Sequence, residues 1–259
     1  HYAGGVGNLE EIYSFAKKHN LRVIEDSAHA FGTIHSNKLV GSFGDISCFS
    51  FDGIKNITSG EGGCIVTDDI DVIRKIKDSR LLGVEKDTDN RFAGKRSWEF
   101  DVKKQGWRYH MSNIMAAIGI EQLKRIEEFS LKRKSYSKLY AELLSVSKYI
   151  SFPKINYDSA MMHIFPVIID KTFDRDEIRK SLQDKGIQTG IHYYPNHLLS
   201  YFFEESNSFL KNTEEIYSKL ITLPLHPDLT IDDIKYVTNT ILELLLDWSS
   251  TKAELNKYW

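Results

Sequence analysis

The chain has 259 residues, 41% of them apolar and 27% charged, and a formal net charge of -2. It is long enough to bury a substantial core, as one α/β domain with an appendage or as a larger and a smaller domain, and its charge balance leaves no footprint for nucleic acid or an anionic membrane, so a small-molecule partner is expected. Its two cysteines, Cys48 and Cys64, lie in apolar runs without metal-ligand spacing, which argues against a zinc site or a disulfide framework and fits a reducing cytoplasm, while the lack of any window of 18 apolar residues argues against a membrane span.

Residues 8–19 put Leu9, Ile12, Tyr13, Phe15 and Ala16 on one helical face, and residues 21–25 follow as a short apolar, β-branched run; this pattern predicts a helix leading into a buried strand. Two further strands are predicted at 46–51 and 64–67, with a glycine-rich connection between them. Residues 69–82 read as a helix, and 85–104 as a long surface loop. A helical pattern runs over 112–145, with Ile114, Ala117, Ile118, Leu123, Ile126, Leu139, Leu143 and Leu144 recurring at spacings of three and four, and is expected to bridge two domains. Beyond it, a strand over 164–169, a helix over 174–185 and a terminal helix over 231–248 predict a small α+β unit, with Asp232 and Asp233 suited to a helix N-terminus. The expected class is α/β: a partial, mostly parallel sheet within residues 1–125, then the bridging helix and a small α+β domain over 126–259.

Two segments carry chemistry. The strand predicted at 21–25 ends in Asp26, at the edge where open α/β sheets bind ligands. Taken alone, Asp26 reads better as a cap on the following turn. The second segment holds Lys55 in the connection between two apolar runs, just ahead of Gly60, Gly62 and Gly63. Lysine gains little where backbone hems it in, so two readings stay open: a solvated loop lysine, or an amine desolvated so that it can form a Schiff base. Ser50 and the glycines offer hydroxyl and amide donors to a phosphate. Taken together, the segments meet the needs of pyridoxal phosphate: an amine for the aldehyde, a carboxylate that keeps the ring nitrogen protonated, and donors for the phosphate.

The resemblance then becomes specific. The strings 23–32 and 41–67, the opening His1-Tyr2-Ala3-Gly4, and the later Gly106-Trp107-Arg108-Tyr109-His110-Met111-Ser112, Gly190-Ile191-His192-Tyr193 and Leu223-Pro224-Leu225-His226-Pro227 closely resemble the DegT/DnrJ/EryC1/StrS family of sugar aminotransferases. The resemblance implies a fold-type I pyridoxal-phosphate-dependent large domain with a small carboxyl-terminal domain, and transfer of an amino group from a donor such as glutamate to a nucleotide-linked keto-deoxysugar, as in O-antigen, lipopolysaccharide or related glycan biosynthesis. It makes Lys55 the Schiff-base lysine, Asp26 the partner of the pyridine nitrogen, His29 a neighbour of the ring hydroxyl and Ser50 a phosphate ligand. Arg108 stands where the family often has an asparagine that reaches the phosphate from the partner subunit of a homodimer with shared active sites. His192 and Tyr193 match a motif near the sugar nucleotide, with core packing as the alternative reading. Relatives that dehydrate sugars lack the lysine, so Lys55 speaks against that chemistry.

By the same resemblance roughly the first third of such a protein is absent, which leads us to expect a truncated or split product, or a chain completed by another segment or a tightly packed partner. A non-catalytic fragment or a regulatory protein that kept the fold is the alternative. Gly4-Gly5-Val6-Gly7 lacks the acidic residue of a dinucleotide fingerprint. Asp26, Ser27 and His29 lie too close along one strand end for triad geometry. Lys132-Arg133-Lys134 reads as a solvated helix face.

Overall fold

A computed structural model of the chain describes residues 1–85, 90, 93–95, 100–203 and 209–255, with side chains to residue 250. The chain divides into two compact units, His1–Glu128 and Phe129–Trp259. Half of the loop expected over 85–104 falls outside the described residues.

The first unit opens with α1 (Leu9–Lys18), whose N-terminus is capped by the Asn8 side chain accepting from the Glu11 amide; a short polar side chain at this position satisfies one of the orphan amides of the first turn. Then come β1 (Ile24–Asp26), β2 (Ile34–His35), β3 (Lys38–Leu39), β4 (Ile46–Ser50), β5 (Gly63–Val66), α2 (Ile70–Ser79) and α3 (Asn113–Lys124). Strands β1, β4 and β5 form one sheet in that order. Strand β1 runs parallel to β4, and β4 antiparallel to β5. The sheet expected to be mostly parallel is therefore mixed within this chain, because the connection over 51–62 folds back instead of crossing over. The β2–β3 hairpin had no counterpart among the sequence expectations. Its turn is Ser36-Asn37, with φ of 45° and 60°, the left-handed pair that matches strand twist in a two-residue hairpin.

One face of the β1–β4–β5 sheet packs on a small core of Ala30, Val40 and Phe49, flanked by Val6, Phe31 and Cys64. Cys48 and Cys64 are both free thiols. They sit on opposite faces, because Cys48 is paired with Ile65 and Cys64 with Phe49.

The second unit contains most of α4 (Ile126–Leu144), followed by β6 (Ile150–Ser151), β7 (Phe165–Ile169), α5 (Arg175–Asp184), α6 (Lys211–Tyr217), β8 (Leu220–Leu223) and α7 (Ile231–Leu255). Its three strands form an antiparallel sheet in the order β6-β7-β8. Strand β8 is buried at every position, which explains its continuous apolar character. Thr230 and Asp233 cap α7 reciprocally: the Thr230 amide donates to the Asp233 carboxylate at 2.8 Å and the Asp233 amide to the Thr230 hydroxyl at 3.1 Å.

Two helical expectations change. The single helix read over 112–145 is two, α3 and α4, broken at Arg125, whose amide turns back to the Gln122 carbonyl at 3.0 Å. The reading of Lys132-Arg133-Lys134 as a solvated face fails at its centre. Arg133 is only 4% exposed, and one guanidinium nitrogen donates to the carbonyls of Met162, His163 and Leu225 at 3.1–3.2 Å. Burial pulls its pKa down to about 10, so the group is still a cation at neutral pH and replaces water for three backbone acceptors.

Among the described residues no helix is long and apolar enough to cross a membrane, and no group of three or more His, Cys, Asp or Glu side chains is arranged to hold a metal.

Candidate active site

The register of the β1–β4–β5 sheet builds the site. Asp26, the last residue of β1, pairs with Cys48 on β4; side chains alternate along a strand, so Asp26, Cys48 and Ser50 share one face. Ser50 ends β4 and is paired with Gly63, which starts β5. The connection between them leaves and re-enters the sheet at the edge where β1 ends, and Lys55 lies in it. The structure thus brings Asp26, Ser50 and Lys55 to one edge of one sheet.

That connection is ordered by its own polar groups. The Lys55 amide donates to the Asp52 carbonyl at 3.0 Å, the Ile54 amide to the Asp52 carboxylate at 3.1 Å, and the Phe51 amide to the Gly62 carbonyl at 2.8 Å. Thr58 donates its hydroxyl to the Phe51 carbonyl at 3.2 Å, and Asn56 its side-chain amide to the Phe31 carbonyl at 3.0 Å. Glycine is required where the loop rejoins β5: a Cβ on Gly63 would lie 2.5 Å from the Phe49 carbonyl oxygen. The Lys55 side chain is half-buried, and among the described residues its ammonium makes no ion pair or hydrogen bond. An amine held on an ordered loop without a counter-ion is free to act as a nucleophile.

The other residues singled out in the sequence take the following places. Asp26 is exposed, and one of its carboxylate oxygens accepts from the Ala28 amide at 3.1 Å. The capping role is therefore real, and the second oxygen is left without a partner among the described residues. His29 is buried, its Nδ1 accepting from the Ala3 amide at 3.2 Å. A ring nitrogen that accepts is unprotonated, so a neutral His29 carries its proton on Nε2. It also pins the turn at Ala3, which has a φ of 59°. The Ser50 hydroxyl accepts from the Asp52 amide at 3.3 Å. Asp26 also affects its neighbour: burial first, then the Asp26 charge, push the Cys48 thiol pKa up, which keeps it protonated.

Arg108 is exposed and contributes to a different feature, a cavity of about 840 Å³ between the sheet and α2 whose lining includes Cys48, Ile65, Arg80, Trp107, Arg108 and Met111. Lys55, Asp26 and Ser50 are not in its lining, although Cys48, Gly62 and Gly63 border both features. The 107–111 wall is held by the Trp107 amide donating to the Ser79 carbonyl at 2.7 Å and the Tyr109 amide to the Arg80 carbonyl at 2.9 Å. Gly106 allows that approach, since a Cβ there would lie 2.0 Å from the Gly83 nitrogen. Apart from Arg108, none of these lining residues was given a site role from the sequence, although Trp107, Tyr109, His110 and Met111 stand in the motif that carries the family resemblance.

His192 and Tyr193 belong to the second unit. His192 Nδ1 lies 2.9 Å from the Thr222 hydroxyl, and its ring meets Tyr193 edge-on at 4.8 Å. His192 is half-buried and Tyr193 53% exposed, so the pair is not a core contact of the kind the alternative reading required.

The model of the DegT/DnrJ/EryC1/StrS aminotransferase family matches residues 1–242. The chain belongs to this family. A Campylobacter jejuni relative, UDP-4-amino-4,6-dideoxy-N-acetyl-beta-L-altrosamine transaminase, is 32% identical over 248 residues, which are 94% of this chain and 64% of the relative. An uncharacterized protein of Methanocaldococcus jannaschii is 34% identical over 252 residues, 95% of this chain and 65% of that one. Among solved structures, Helicobacter pylori PseC, an aminotransferase involved in the biosynthesis of pseudoaminic acid, is 30% identical with a TM-score of 0.84, covering 93% of this chain and 64% of PseC. The aminotransferase TlmJ from Streptoalloteichus hindustanus is 27% identical with a TM-score of 0.84, covering 96% of this chain and 65% of TlmJ. The fold is thus that of the family's type I aminotransferases, and the chain spans just under two thirds of the length of these relatives.

Proposed function

We propose that this chain carries the central residues of a pyridoxal-phosphate-dependent aminotransferase that moves an amino group from an amino acid such as glutamate to the keto group of a nucleotide-linked deoxysugar. The observation that carries the reading is the sheet register, which gathers at one edge an amine and a carboxylate oxygen, both without a partner among the described residues, and a hydroxyl. That donor set suits the cofactor. The bound cofactor would supply an electron sink for the carbon losing or gaining its proton.

In this reading Lys55 would hold the cofactor through its aldehyde and would move the proton taken from the donor's α-carbon in one half of the reaction and delivered to the sugar carbon in the other. Asp26, with its remaining oxygen, would keep the pyridine nitrogen protonated. His29, fixed by the Ala3 amide, would serve the ring hydroxyl, and Ser50 would donate its hydroxyl to the phosphate. Arg108 adds a cation to the phosphate of the partner subunit in a homodimer, and His192 and Tyr193 contact the sugar nucleotide. The setting is the cytoplasm, where Cys48 and Cys64 remain thiols.

Titration of the purified chain with pyridoxal phosphate tests this. An absorption band near the visible edge, fixed by borohydride as a mass increment on the peptide containing Lys55 and absent in Lys55→Ala, is expected, and glutamate should bleach it. Asp26→Ala should weaken cofactor binding by at least tenfold, and Arg108→Ala should weaken it less. A second reading, a non-catalytic member of the fold, is favoured by one observation: the Asp26 carboxylate is exposed and already caps a turn. No band at saturating cofactor would select it.

A further inference from the structure

The connection that carries Lys55 closes on itself: the Ser59 amide and the Thr58 hydroxyl both donate to the Phe51 carbonyl, at 2.9 and 3.2 Å. These bonds fix the shape of the loop, but its placement relative to Asp26 needs a contact outside it. The residue after Lys55 makes one. Asn56 is 4% exposed, and its side-chain amide donates at 3.0 Å to the carbonyl of Phe31, in the segment that leaves β1 at Asp26 and holds His29. An apolar side chain such as that of Ile57, equally buried, would occupy such a place without burying an amide, so the polar choice is explained by the bond it makes. The acceptor is fixed in turn. Around Phe31, the Ala30 amide donates to the Ser27 carbonyl at 2.9 Å and the Thr33 amide to the Ala30 carbonyl at 3.0 Å, and the buried Thr33 hydroxyl donates to the Gly4 carbonyl at 3.1 Å. The Phe31 ring meets Phe49 and Phe51 edge-on at 5.3 and 5.5 Å, so β4 and the start of the Lys55 loop both pack on the residue whose carbonyl Asn56 engages.

We propose that Asn56 is a positioning residue acting through Lys55: by fastening the loop to Phe31, it sets where the amine stands relative to the Asp26 carboxylate and so to the cofactor's aldehyde. The proposal rests on the reading of Lys55 as the Schiff-base lysine. In that step the Lys55 amine, having given a proton to solvent, bonds the aldehyde carbon, and the aldehyde oxygen leaves as water. Lysine carries its nitrogen on a flexible four-carbon stem, so the nitrogen is placed only as well as its backbone is anchored, and a displacement of about 1 Å in a reacting group can cost about a hundredfold in rate. Asp26 and Ser50 do not depend on the same bond, since the strand register holds them. Loss of the Asn56 donor should therefore slow bond formation at Lys55 and leave the rest of the cofactor's binding in place.

The test uses the full chain with pyridoxal phosphate as probe. Stopped-flow absorbance gives the rate of Schiff-base formation, and equilibrium dialysis in the Lys55→Ala background gives cofactor binding without it. Asn56→Ala and Asn56→Asp should each slow Schiff-base formation at least tenfold, since alanine lacks the donor and a carboxylate offers only acceptors. Added to Lys55→Ala, either should change the dissociation constant by less than twofold. Asn56→Gln, which keeps the donor on a longer stem, should recover part of the rate. In the cofactor-free chain, hydrogen exchange should quicken over 53–58 and 28–33 together in the alanine and aspartate variants. Circular dichroism checks that each variant is folded; if alanine unfolds the chain, the aspartate of equal size and the glutamine carry the comparison. An equal loss in both backgrounds makes Asn56 merely structural and overturns the proposal, as does an unchanged rate in the variants. A wild type that forms no Schiff base overturns the functional reading itself, and this proposal with it.

Discussion

The two units of the molecule are built to different densities. In the second, Tyr140, Phe165, Met161, Ile178, Ile221 and Ile241 are all less than 2% exposed, and every one of the largest fully buried side chains among the described residues belongs to this unit. In the first, the core is Ala30, Val40 and Phe49 with a few half-buried neighbours, and neither α2 nor α3 buries a residue. The second unit has a dense core, although Val146 and Leu131 remain exposed on its surface; the first keeps its proposed cofactor edge ordered by loop hydrogen bonds. Polar residues at a sheet edge can therefore be positioned by register and turn chemistry without a dense core beneath them.

That contrast can be broken from the dense side first. Tyr140 is fully buried and donates its hydroxyl to the Pro224 carbonyl at 3.0 Å; Tyr140→Ala should cost about 3–5 kcal/mol through the cavity it leaves. Hydrogen exchange resolved by segment should report the loss over β7 and β8, since two units need not unfold together. If that loss is under 1 kcal/mol, the density argument fails. Arg133→Met should come next, at about 2–4 kcal/mol, because three buried carbonyls lose their donor at once. Denaturant melts of Arg133→Lys separate charge from geometry: a lysine keeps the charge and three N–H donors, but its ammonium ends one bond short of the guanidinium nitrogen, so it should recover only part of the loss.

How much of this could be read from the sequence depends on whether a feature is local. The apolar run over 46–51 and the acidic helix start at Asp232 and Asp233 were legible, since strand patterning and helix starts depend on neighbours in the chain. Asp26, Ser50 and Lys55 were legible as residue types at strand ends, and so was the turn cap made by the Ala28 amide, but not that it engages only one Asp26 oxygen. The break at Arg125 was hidden because the same apolar spacing continues on both sides of it. Arg133 was misread because the carbonyls it serves come from residues about thirty and ninety positions away, and charge in a sequence is no guide to a buried acceptor. The β2–β3 hairpin has strands of two residues each, too short for a periodicity to register. The cavity wall at 107–111 depends on pairing with 79–82 across a segment without pattern.

Within the first unit the comparison sharpens at Tyr13, whose hydroxyl donates to the Glu25 carboxylate at 2.5 Å and is pushed up to about 12, first by burial and then by that bond. A folded pKa raised above the ordinary value of 10 means that the neutral phenol is the form the fold favours. Its contribution is complete below pH 10 and is lost as the pH climbs toward about 12. Tyr13→Phe should cost about 0.5–1.5 kcal/mol at neutral pH. The gap between wild type and variant should then close between pH 10 and 12; a gap that stays constant over that range would mean the hydroxyl does not sense its ionisation in the folded state.

The smallest expected effect is the most discriminating. Ile114 is 77% exposed at the start of α3, and in the chain by itself Ile114→Ala should change stability by less than about 0.5 kcal/mol, since almost no apolar surface is uncovered by the truncation and alanine is the better helix former. The same substitution at a buried isoleucine of the second unit, Ile241→Ala, should cost about 2–5 kcal/mol. Both costs are read by denaturant titration of the chain. If Ile114→Ala is already costly, α3 is packed in solution and the first unit is not open on that side.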